Sequence, residues 1–182
     1  HSASATSLAL SAEGQDRLFA NADRYADDVV LRPADLSNRP SLIDRFGVVA
    51  VNSALEVDVY GHVNSTHIDG SRALNGIGGS GDFTRNSPLA VIALPSMAGE
   101  DISRVVPMVP HVDHTEHDVD VIVTEHGVAD LRGTSPRERA RRVIDSCADP
   151  SVRPALDDYL ADALDGGGHT PHDLERAFDW RD

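Results

Sequence analysis

Three short apolar runs stand out along the chain because they do not alternate with polar residues. They cover residues 48–51, 90–94 and 119–123 and are rich in β-branched side chains. Runs of this length and composition predict strands that are buried on both faces. Residues 56–68 instead alternate strictly between apolar and polar positions, which predicts a strand with one wetter face.

Local signals predict a helix and a strand in the N-terminal part of the chain. Ser11 suits a helix cap, and the pattern after it predicts a helix to about Tyr25 with Leu18 and Phe19 facing inward. Residues 29–31 then predict a short strand, which the proline two positions further on stops.

A second short helix is predicted after this strand. Asn38 is placed to cap it, Pro40 lies in its first turn and Gly47 comes just past its end. Cap, proline and glycine together predict a helix of about two turns.

The strongest local signal begins at Ser135. Ser135 and Glu138 form a capping box with a proline at the first helical position, which predicts a helix to about Cys147. Residues 152–164 predict a further helix that ends at three consecutive glycines, and Thr170 starts a last short helix. Strands that alternate with helices predict an α/β fold, in which helices layer a mostly parallel or mixed sheet.

The composition is strongly acidic and lacks lysine. All 16 basic residues are arginines, the acids divide into 23 Asp and 7 Glu, and the formal net charge is −14. Nucleic acids and anionic membranes need a cationic surface, so this charge excludes both as partners. We interpret the acid excess as halophilic adaptation, because high salt screens the repulsion between carboxylates. An ordinary acidic protein is the alternative.

Length and cysteine content narrow the class of protein. With 182 residues and 40% hydrophobic content, the chain can bury the core of one domain. The lone cysteine, Cys147, excludes a disulfide framework and favours a reducing, cytoplasmic setting. No apolar run approaches the roughly 20 residues that cross a bilayer. Because the chain does not begin with Met, we expect it to be a piece of a longer polypeptide.

The glycine-rich segment LNGIGGSGDF, residues 74–83, is the first candidate for chemistry. Gly76, Gly78 and Gly81 match the GxGxxG spacing of dinucleotide-binding loops, but Pro88 leaves room for only one or two helical turns after them. A P-loop is excluded because GK[ST] is absent. The segment predicts a tight turn whose N–H groups face an anion or a developing oxyanion. A purely structural turn is the alternative.

Histidines and acids form a second cluster. His111, His114 and His117 recur every third residue, which is compatible with zinc or iron, but the spacing is not HExxH. We interpret the cluster as a polar, hydrogen-bonded loop and predict no metal. Glu125 lies at the carboxyl end of the third apolar run, and ligands of open α/β sheets bind beyond the carboxyl ends of strands. It is a candidate for acid–base or orienting chemistry, with a surface glutamate as the alternative.

Eight segments together carry a resemblance to a known family. They are ASATS (3–7), LRP (31–33), SNRP (37–40), NSALEVDVYGHVNSTH (52–67), NGIGGSGDF (75–83), ALPS (93–96), SRVVPMVPHVDHTEHDVDVIVTEHGVADLRG (103–133) and SPRERA (135–140). The set resembles the carboxyl-terminal domain of the acetyl-CoA hydrolase/transferase family, nearest to its succinyl-CoA:acetate CoA-transferase and acetyl-CoA hydrolase branch. The resemblance extends from Ala3 to about Trp180.

The resemblance implies that residues 1–182 form the second of two similar domains, with a core at about 1–160 and a helical tail at about 161–182. The active site would lie between this domain and an amino-terminal domain, in a homodimer. The implied reaction moves coenzyme A between acetyl- or succinyl-CoA and a small carboxylate, without a metal. A glutamate expected upstream of His1 would carry the CoA, so the chain alone is expected to be inactive.

The resemblance also implies site residues. Gly79 matches the glycine whose N–H binds the thioester oxygen, and Asn75 and Gly78 would line the CoA pocket with it. Asn38 matches an active-site asparagine that donates to the substrate carboxylate, a role that conflicts with helix capping. Glu125 matches a second active-site glutamate, which would orient the carboxylate or, in hydrolases, the attacking water.

One segment departs from the family pattern. Many members carry PSTAKGGKIS, with a lysine that can meet CoA phosphates, whereas residues 95–103 read PSMAGEDIS. We expect Arg104 to substitute in part for that lysine. The choice between transferase and hydrolase stays open, and a non-catalytic CoA-binding module or partner subunit is the alternative of a different class.

Overall fold

The computed structural model describes residues 3–179, in which helices alternate with short strands. The helices are α1 (Ala12–Ala20), α2 (Ala22–Asp28), α3 (Ala34–Ser37), α4 (Pro40–Phe46), α5 (Ser80–Asn86), α6 (Pro136–Cys147) and α7 (Arg153–Asp165). The strands are β1 (Ala3–Ala5), β2 (Val29–Leu31), β3 (Val49–Asn52), β4 (Glu56–Asp58), β5 (Val63–Asn64), β6 (His67–Ile68), β7 (Arg72–Ala73), β8 (Leu89–Ala93), β9 (Met97–Ala98), β10 (Ile102–Ser103), β11 (Val105–Val106), β12 (Val121–Thr124) and β13 (Gly127–Asp130). Within residues 3–179, no helix has the length and apolar character needed to span a membrane.

The central sheet has four strands in the order β13-β12-β8-β3. β3, β8 and β12 are parallel, and β13 returns antiparallel to β12. The register pairs Val51 with Val91 and Val91 with Val121. The three predicted apolar runs therefore form neighbouring strands, and the predicted α/β fold with a mixed, mostly parallel sheet is confirmed.

A smaller sheet replaces the single alternating strand predicted for residues 56–68. This segment folds back on itself as β4, β5 and β6, and the smaller sheet has the order β11-β4-β5. The carboxylate of Asp58 accepts hydrogen bonds from the N–H groups of Tyr60 and His62, and Gly61 has φ +92°. This side-chain-closed turn breaks the strand, so the prediction of one continuous strand is wrong.

The hydrophobic core lies between the central sheet and the two C-terminal helices. α6 packs on β12 and β13, and α7 packs on α6. Fully buried side chains in this layer are Ile92, Ile122, Val143, Ile144, Leu156 and Leu160. Burial of each such side chain stabilises the fold by about 1.5–3 kcal/mol, so this layer fixes the orientation of the sheet.

Both C-terminal helices begin and end close to the predicted positions. The hydroxyl of Ser135 accepts from the N–H of Glu138, and the Glu138 carboxylate accepts from the N–H of Ser135 at 2.8 Å. The last short helix predicted from Thr170 is not formed in residues 170–179, where the N–H of Ala177 closes one turn on the carbonyl of Asp173. The end of the predicted tail, residues 180–182, lies outside the described residues.

The predicted N-terminal helix is broken in two. Ser11 caps α1 by accepting from the N–H of Gly14 at 3.1 Å, as predicted, but Asn21 separates α1 from α2. Phe19 is 73% exposed, and α1 contains no buried residue. The inward orientation predicted for Phe19 is therefore wrong, because no layer of residues 3–179 covers that side of α1.

Alternate residues of β3 face opposite sides of the central sheet. Ala50 is buried against the core, whereas Val49 and Val51 are 52% and 65% exposed. Burial on both faces was predicted for this run and is wrong for β3, because residues 3–179 leave its outer face open to solvent.

His62 connects two acidic side chains beside the smaller sheet. Its Nδ1 lies 3.0 Å from Asp58 Oδ2, and its Nε2 lies 2.8 Å from Glu116 Oε2. Burial lowers the pKa of His62, but the hydrogen bonds and charges of Asp58 and Glu116 outweigh it, and the net pKa is raised above the usual 6.5.

We expect His62→Gln to lower the free energy of unfolding by about 1 kcal/mol at about pH 6 and by much less at about pH 9. A group whose pKa is raised in the folded state contributes its full stabilisation below its unfolded-state pKa. This stabilisation is lost as the pH rises through its folded-state pKa. Guanidinium unfolding at both pH values measures the effect, with the exposed His169→Gln as control. An equal loss at both pH values would contradict the assignment.

Candidate active site

Two polar residues lie at the carboxyl edge of the central sheet. Ser96 lies just beyond β8, and Glu125 directly follows β12. Because β8 and β12 are parallel neighbours, their carboxyl ends lie at the same edge. Glu125 is thus in the predicted place, in the turn between β12 and β13.

Ser96 holds the carboxylate of Glu125 with two hydrogen bonds. The N–H of Ser96 donates to Oε2 at 2.8 Å, and its hydroxyl donates to Oε1 at 2.7 Å. Ser96 is completely buried, while the Glu125 side chain is 51% exposed. The carboxylate is therefore anchored to the protein and still accessible to a ligand.

The same bonds keep Glu125 ionised. The hydrogen bonds from Ser96 are the main cause that lowers the pKa of Glu125, and the charge of His126 adds to them. His126 Nε2 lies 3.8 Å from Glu125 Oε1 and 3.1 Å from Asp149 Oδ2. An ionised carboxylate accepts hydrogen bonds or a proton, so Glu125 suits orienting or general-base chemistry better than proton donation.

The glycine-rich segment forms an exposed turn that leads into α5. Gly78 has φ +57°, a left-handed conformation that favours glycine, and Gly79 directly precedes the helix. α5 has seven residues, so the helix is as short as Pro88 predicted. It packs on β3 and β8 and joins β8 through a short connection, so its N-terminus lies toward the carboxyl edge of the sheet.

Asn38 occupies the space that a side chain at position 79 would need. A Cβ atom placed on Gly79 would lie 2.8 Å from Asn38 Cγ and closer still to Nδ2. The Gly79 backbone, at φ −89° and ψ 7°, does not itself require glycine. Within this chain, a side chain at position 79 would therefore require the Asn38 side chain to move. Two predicted site residues are therefore in contact.

The helix-capping role predicted for Asn38 is wrong. α4 begins with Arg39 as its cap residue, and Asn38 instead ends α3. Asn38 therefore does not have to serve both as a helix cap and as a site residue. Its side chain is directed at Gly79 and not at the first turn of α4.

Asn75 and Gly78 lie in the exposed part of the same turn. The N–H of Asn75 donates to the carbonyl of Thr66 at 3.3 Å, and its side-chain amide donates to the carbonyl of Ser65 at 3.4 Å. A Cβ atom on Gly78 would meet nothing within 4 Å. The outer surface of this turn is thus open to a ligand.

The buried side chain of His114 supports the glycine-rich turn that leads into α5. Its Nε2 lies 2.8 Å from the hydroxyl oxygen of Ser80, and its backbone pairs with Val63. His114 is completely buried, and burial lowers its pKa, so the ring is neutral. A buried pair of this kind holds the start of α5, and with it Gly79, in place.

The other histidines of the cluster form local pairs with acids. His111 Nε2 lies 3.2 Å from Asp113 Oδ1, and His117 Nε2 lies 3.3 Å from Glu116 Oε1. Among residues 3–179, no group of three or more His, Cys, Asp or Glu side chains is arranged to hold a metal ion.

A cavity of about 430 Å³ opens beside the glycine turn. Its lining includes Glu56, Ile68, Leu74, Asp101, Ile102 and Arg104. Arg104 Nε is buried without a hydrogen-bond partner among the described residues, and the backbone N–H of Arg104 donates to the carbonyl of Ser96 at 2.8 Å. Its role as a substitute for the family's lysine stays a prediction.

Two residues of this arrangement, Ser80 and Ser96, are not predicted as site residues by the sequence. The hydroxyl of Ser80 bonds a histidine 34 positions away, which no local pattern reveals. Ser96 did carry a signal, because it lies shortly after the second predicted strand, as Glu125 lies shortly after the third. The rule that ligands bind beyond strand ends applies equally to both.

Comparison with known proteins decides the family. The model described as "Acetyl-CoA hydrolase/transferase C-terminal domain" matches residues 14–160. The chain belongs to the acetyl-CoA hydrolase/transferase family. The resemblance carried by the eight sequence segments is thereby confirmed.

Relatives within the acetyl-CoA hydrolase/transferase family include transferases and hydrolases. The propanoyl-CoA:succinate CoA transferase of Escherichia coli K12 is 54% identical over 97% of this chain and 36% of that protein. The succinyl-CoA:acetate CoA-transferase of Clostridium kluyveri is 51% identical over 97% of this chain and 33% of that protein. The acetyl-CoA hydrolase of Candida glabrata is 50% identical over 97% of this chain and 35% of that protein. The chain thus spans about a third of the length of these relatives.

Solved structures support the fold of this family. RipA from Yersinia pestis matches with a TM-score of 0.63 and 33% identity, over 75% of this chain and 31% of RipA. The 4-hydroxybutyrate CoA-transferase from Porphyromonas gingivalis matches with a TM-score of 0.58 and 32% identity. The match covers 75% of this chain and 32% of that protein. The chain therefore has a CoA-transferase-type α/β fold.

We expect Gly79→Ala to lower the free energy of unfolding by about 1 kcal/mol, because the new methyl group displaces the Asn38 side chain. In an Asn38→Ala background the same substitution is expected to cost close to nothing. Chemical unfolding of the four proteins of this double-mutant cycle measures the coupling. Gly76→Ala is the control, because a Cβ atom there meets nothing within 4 Å. An equal cost in both backgrounds would exclude the contact.

Proposed function

We propose that the protein carrying this chain is a CoA-transferase, which moves CoA between acetyl- or succinyl-CoA and a small carboxylate. The observation that carries the proposal is the contact between Asn38 and Gly79 at the start of α5. Both residues match the family's site, and Glu125 lies at the carboxyl edge of the sheet toward which α5 points its N-terminus. Family membership supports the same reaction class.

The proposed roles follow from the chemistry of each group. The N–H of Gly79 donates to the thioester oxygen as negative charge develops on it, and one such donor is worth about 3 kcal/mol in the transition state. The Asn38 carboxamide donates to the substrate carboxylate. Glu125, held ionised by Ser96, orients that carboxylate through a shared proton or water. We assign Asn75, Gly78 and Gly79 to the CoA pocket from the family resemblance, although the lining of the cavity of about 430 Å³ includes their neighbour Leu74 and none of the three.

The proposed reaction uses a nucleophilic glutamate supplied by the longer polypeptide upstream of this chain. Its carboxylate attacks the thioester carbonyl, the C–S bond breaks, and an acyl-glutamyl anhydride and CoA thiolate form. The thiolate then attacks the glutamyl carbonyl, which releases the acyl carboxylate and leaves a glutamyl-CoA thioester. An incoming carboxylate repeats these steps in reverse and leaves as the new acyl-CoA, so charge and atoms balance.

An acetyl-CoA hydrolase is the second candidate. Glu125 is ionised and half exposed, so it could accept a proton from water that attacks the glutamyl-CoA thioester. Hydrolysis then releases free CoA, and exclusion of water decides between the two outcomes. Relatives of about 50% identity are named for each activity.

The proposal extends to the organisation of the protein. Residues 1–182 form the carboxyl-terminal domain of a homodimeric enzyme whose site is completed by an amino-terminal domain, and this chain alone is inactive. We place the enzyme in the cytoplasm of a halophile, on the strength of its single buried cysteine, Cys147, and its lysine-free, acidic composition.

The test uses the full-length protein in high salt with acetyl-CoA and either succinate or water. Succinyl-CoA formation, with hydroxylamine trapping a glutamyl thioester upstream of this chain, is the expected result. Release of free CoA that does not depend on succinate would indicate the hydrolase. If neither product forms, the protein is a non-catalytic module and the proposal is overturned.

Substitution of Glu125 tests its role in the same assay. Glu125→Gln removes the charge and keeps the shape, so kcat is expected to fall by about 100-fold. Glu100→Gln is the matched control, because Glu100 is an exposed glutamate in the turn between β9 and β10. Unchanged turnover in Glu125→Gln would exclude this residue from the reaction.

A further inference from the structure

Ser96 uses its hydroxyl, its N–H and its carbonyl oxygen in three hydrogen bonds. The hydroxyl and the N–H donate to the two carboxylate oxygens of Glu125, at 2.7 and 2.8 Å. The carbonyl oxygen accepts from the N–H of Arg104 at 2.8 Å. Ser96 is also completely buried. A buried residue that is bound on three sides keeps one orientation, and its hydroxyl stays directed at Glu125.

A hairpin fixes the backbone around Ser96. β9 and β10 pair antiparallel, with Met97 opposite Ser103, and the bond between Ser96 and Arg104 continues that ladder. The next strand, β11, pairs with β4 in the smaller sheet. Ser96 is therefore tied to buried strands, while the tip of the hairpin, residues 99–101, is exposed.

We infer that Ser96 is a positioning residue that holds the Glu125 carboxylate in the orientation in which it acts on the substrate carboxylate or on water. This inference rests on the proposed function, because it assigns Ser96 to the same site. The Glu125 side chain is half exposed, so without the two bonds it would sample several rotamers. Displacement of a reacting group by about 1 Å can cost about 100-fold in rate.

A charged neighbour of Glu125 is His126, on the turn after β12, and His126 in turn contacts Asp149 on the loop after α6. His126 Nε2 lies 3.8 Å from Glu125 Oε1, and Asp149 Oδ2 lies 3.1 Å from the same nitrogen. The hydrogen bonds from Ser96 are the main cause that lowers the pKa of Glu125, and the charge of His126 is a smaller cause. Removal of the Ser96 hydroxyl is therefore expected to raise that pKa.

Kinetics of the full-length protein test the inference. Ser96→Ala is expected to lower kcat by about 10- to 100-fold with little change in KM, and to move the acidic limb of the pH profile to higher pH. In a Glu125→Gln background, Ser96→Ala is expected to have no further effect. Ser103→Ala is the control, because that buried hydroxyl donates to the carbonyl of Val105 and not to Glu125. Equal losses in both backgrounds would overturn the inference.

A second measurement does not depend on turnover. If the wild-type protein is inactive, the proposed function is overturned. The pKa of Glu125 can still be measured by ¹³C NMR titration of labelled glutamate carboxyl groups. Loss of one signal in Glu125→Gln identifies the residue. Ser96→Ala is expected to raise this pKa and Ser103→Ala to leave it unchanged. If Ser96→Ala does not fold, Ser96→Cys, a weaker donor of similar shape, replaces it. An unchanged pKa in the folded variant would overturn the inference.

Discussion

The parallel pairing of β3, β8 and β12 is the constraint on which the candidate site depends. Parallel neighbours present their carboxyl ends at one edge, so residues far apart in sequence meet there without any local signal. Ser96 and Glu125 are 29 positions apart and still share two hydrogen bonds. A shift of one residue between β8 and β12 would turn alternate side chains to the opposite face and separate this pair.

The sequence predicts best what short-range interactions decide. The helix that begins after Ser135 is predicted to the residue, because cap, proline and acid lie within four positions and bond one another. The broken segment after β4 is not predicted, because the Asp58 side chain closes a turn inside an otherwise alternating pattern. The alternation is also wrong about burial, because Asp58, Asn64 and Thr66 are buried although they occupy polar positions of the pattern.

Asn38 and Gly79 show the same limit within the site. A cap residue and a residue that contacts a distant glycine have the same local signature, so the two roles of Asn38 cannot be separated from its neighbours in sequence. The conflict between Asn38 and a side chain at position 79 is likewise invisible locally, because the backbone angles of Gly79 are ordinary. Here the family resemblance names the residues, and packing supplies the physical reason for them.

The open face of β3 has a consequence for handling the isolated chain. Among residues 3–179, β3 is an edge strand of the central sheet that pairs only with β8, and it exposes Val49 and Val51. Such an edge is a template for strand addition by another copy. A net charge of −14 opposes that contact in dilute buffer, whereas concentrated salt screens the repulsion and strengthens apolar association. The ionic conditions that suit the acidic surface therefore favour aggregation through this strand wherever it is left uncovered.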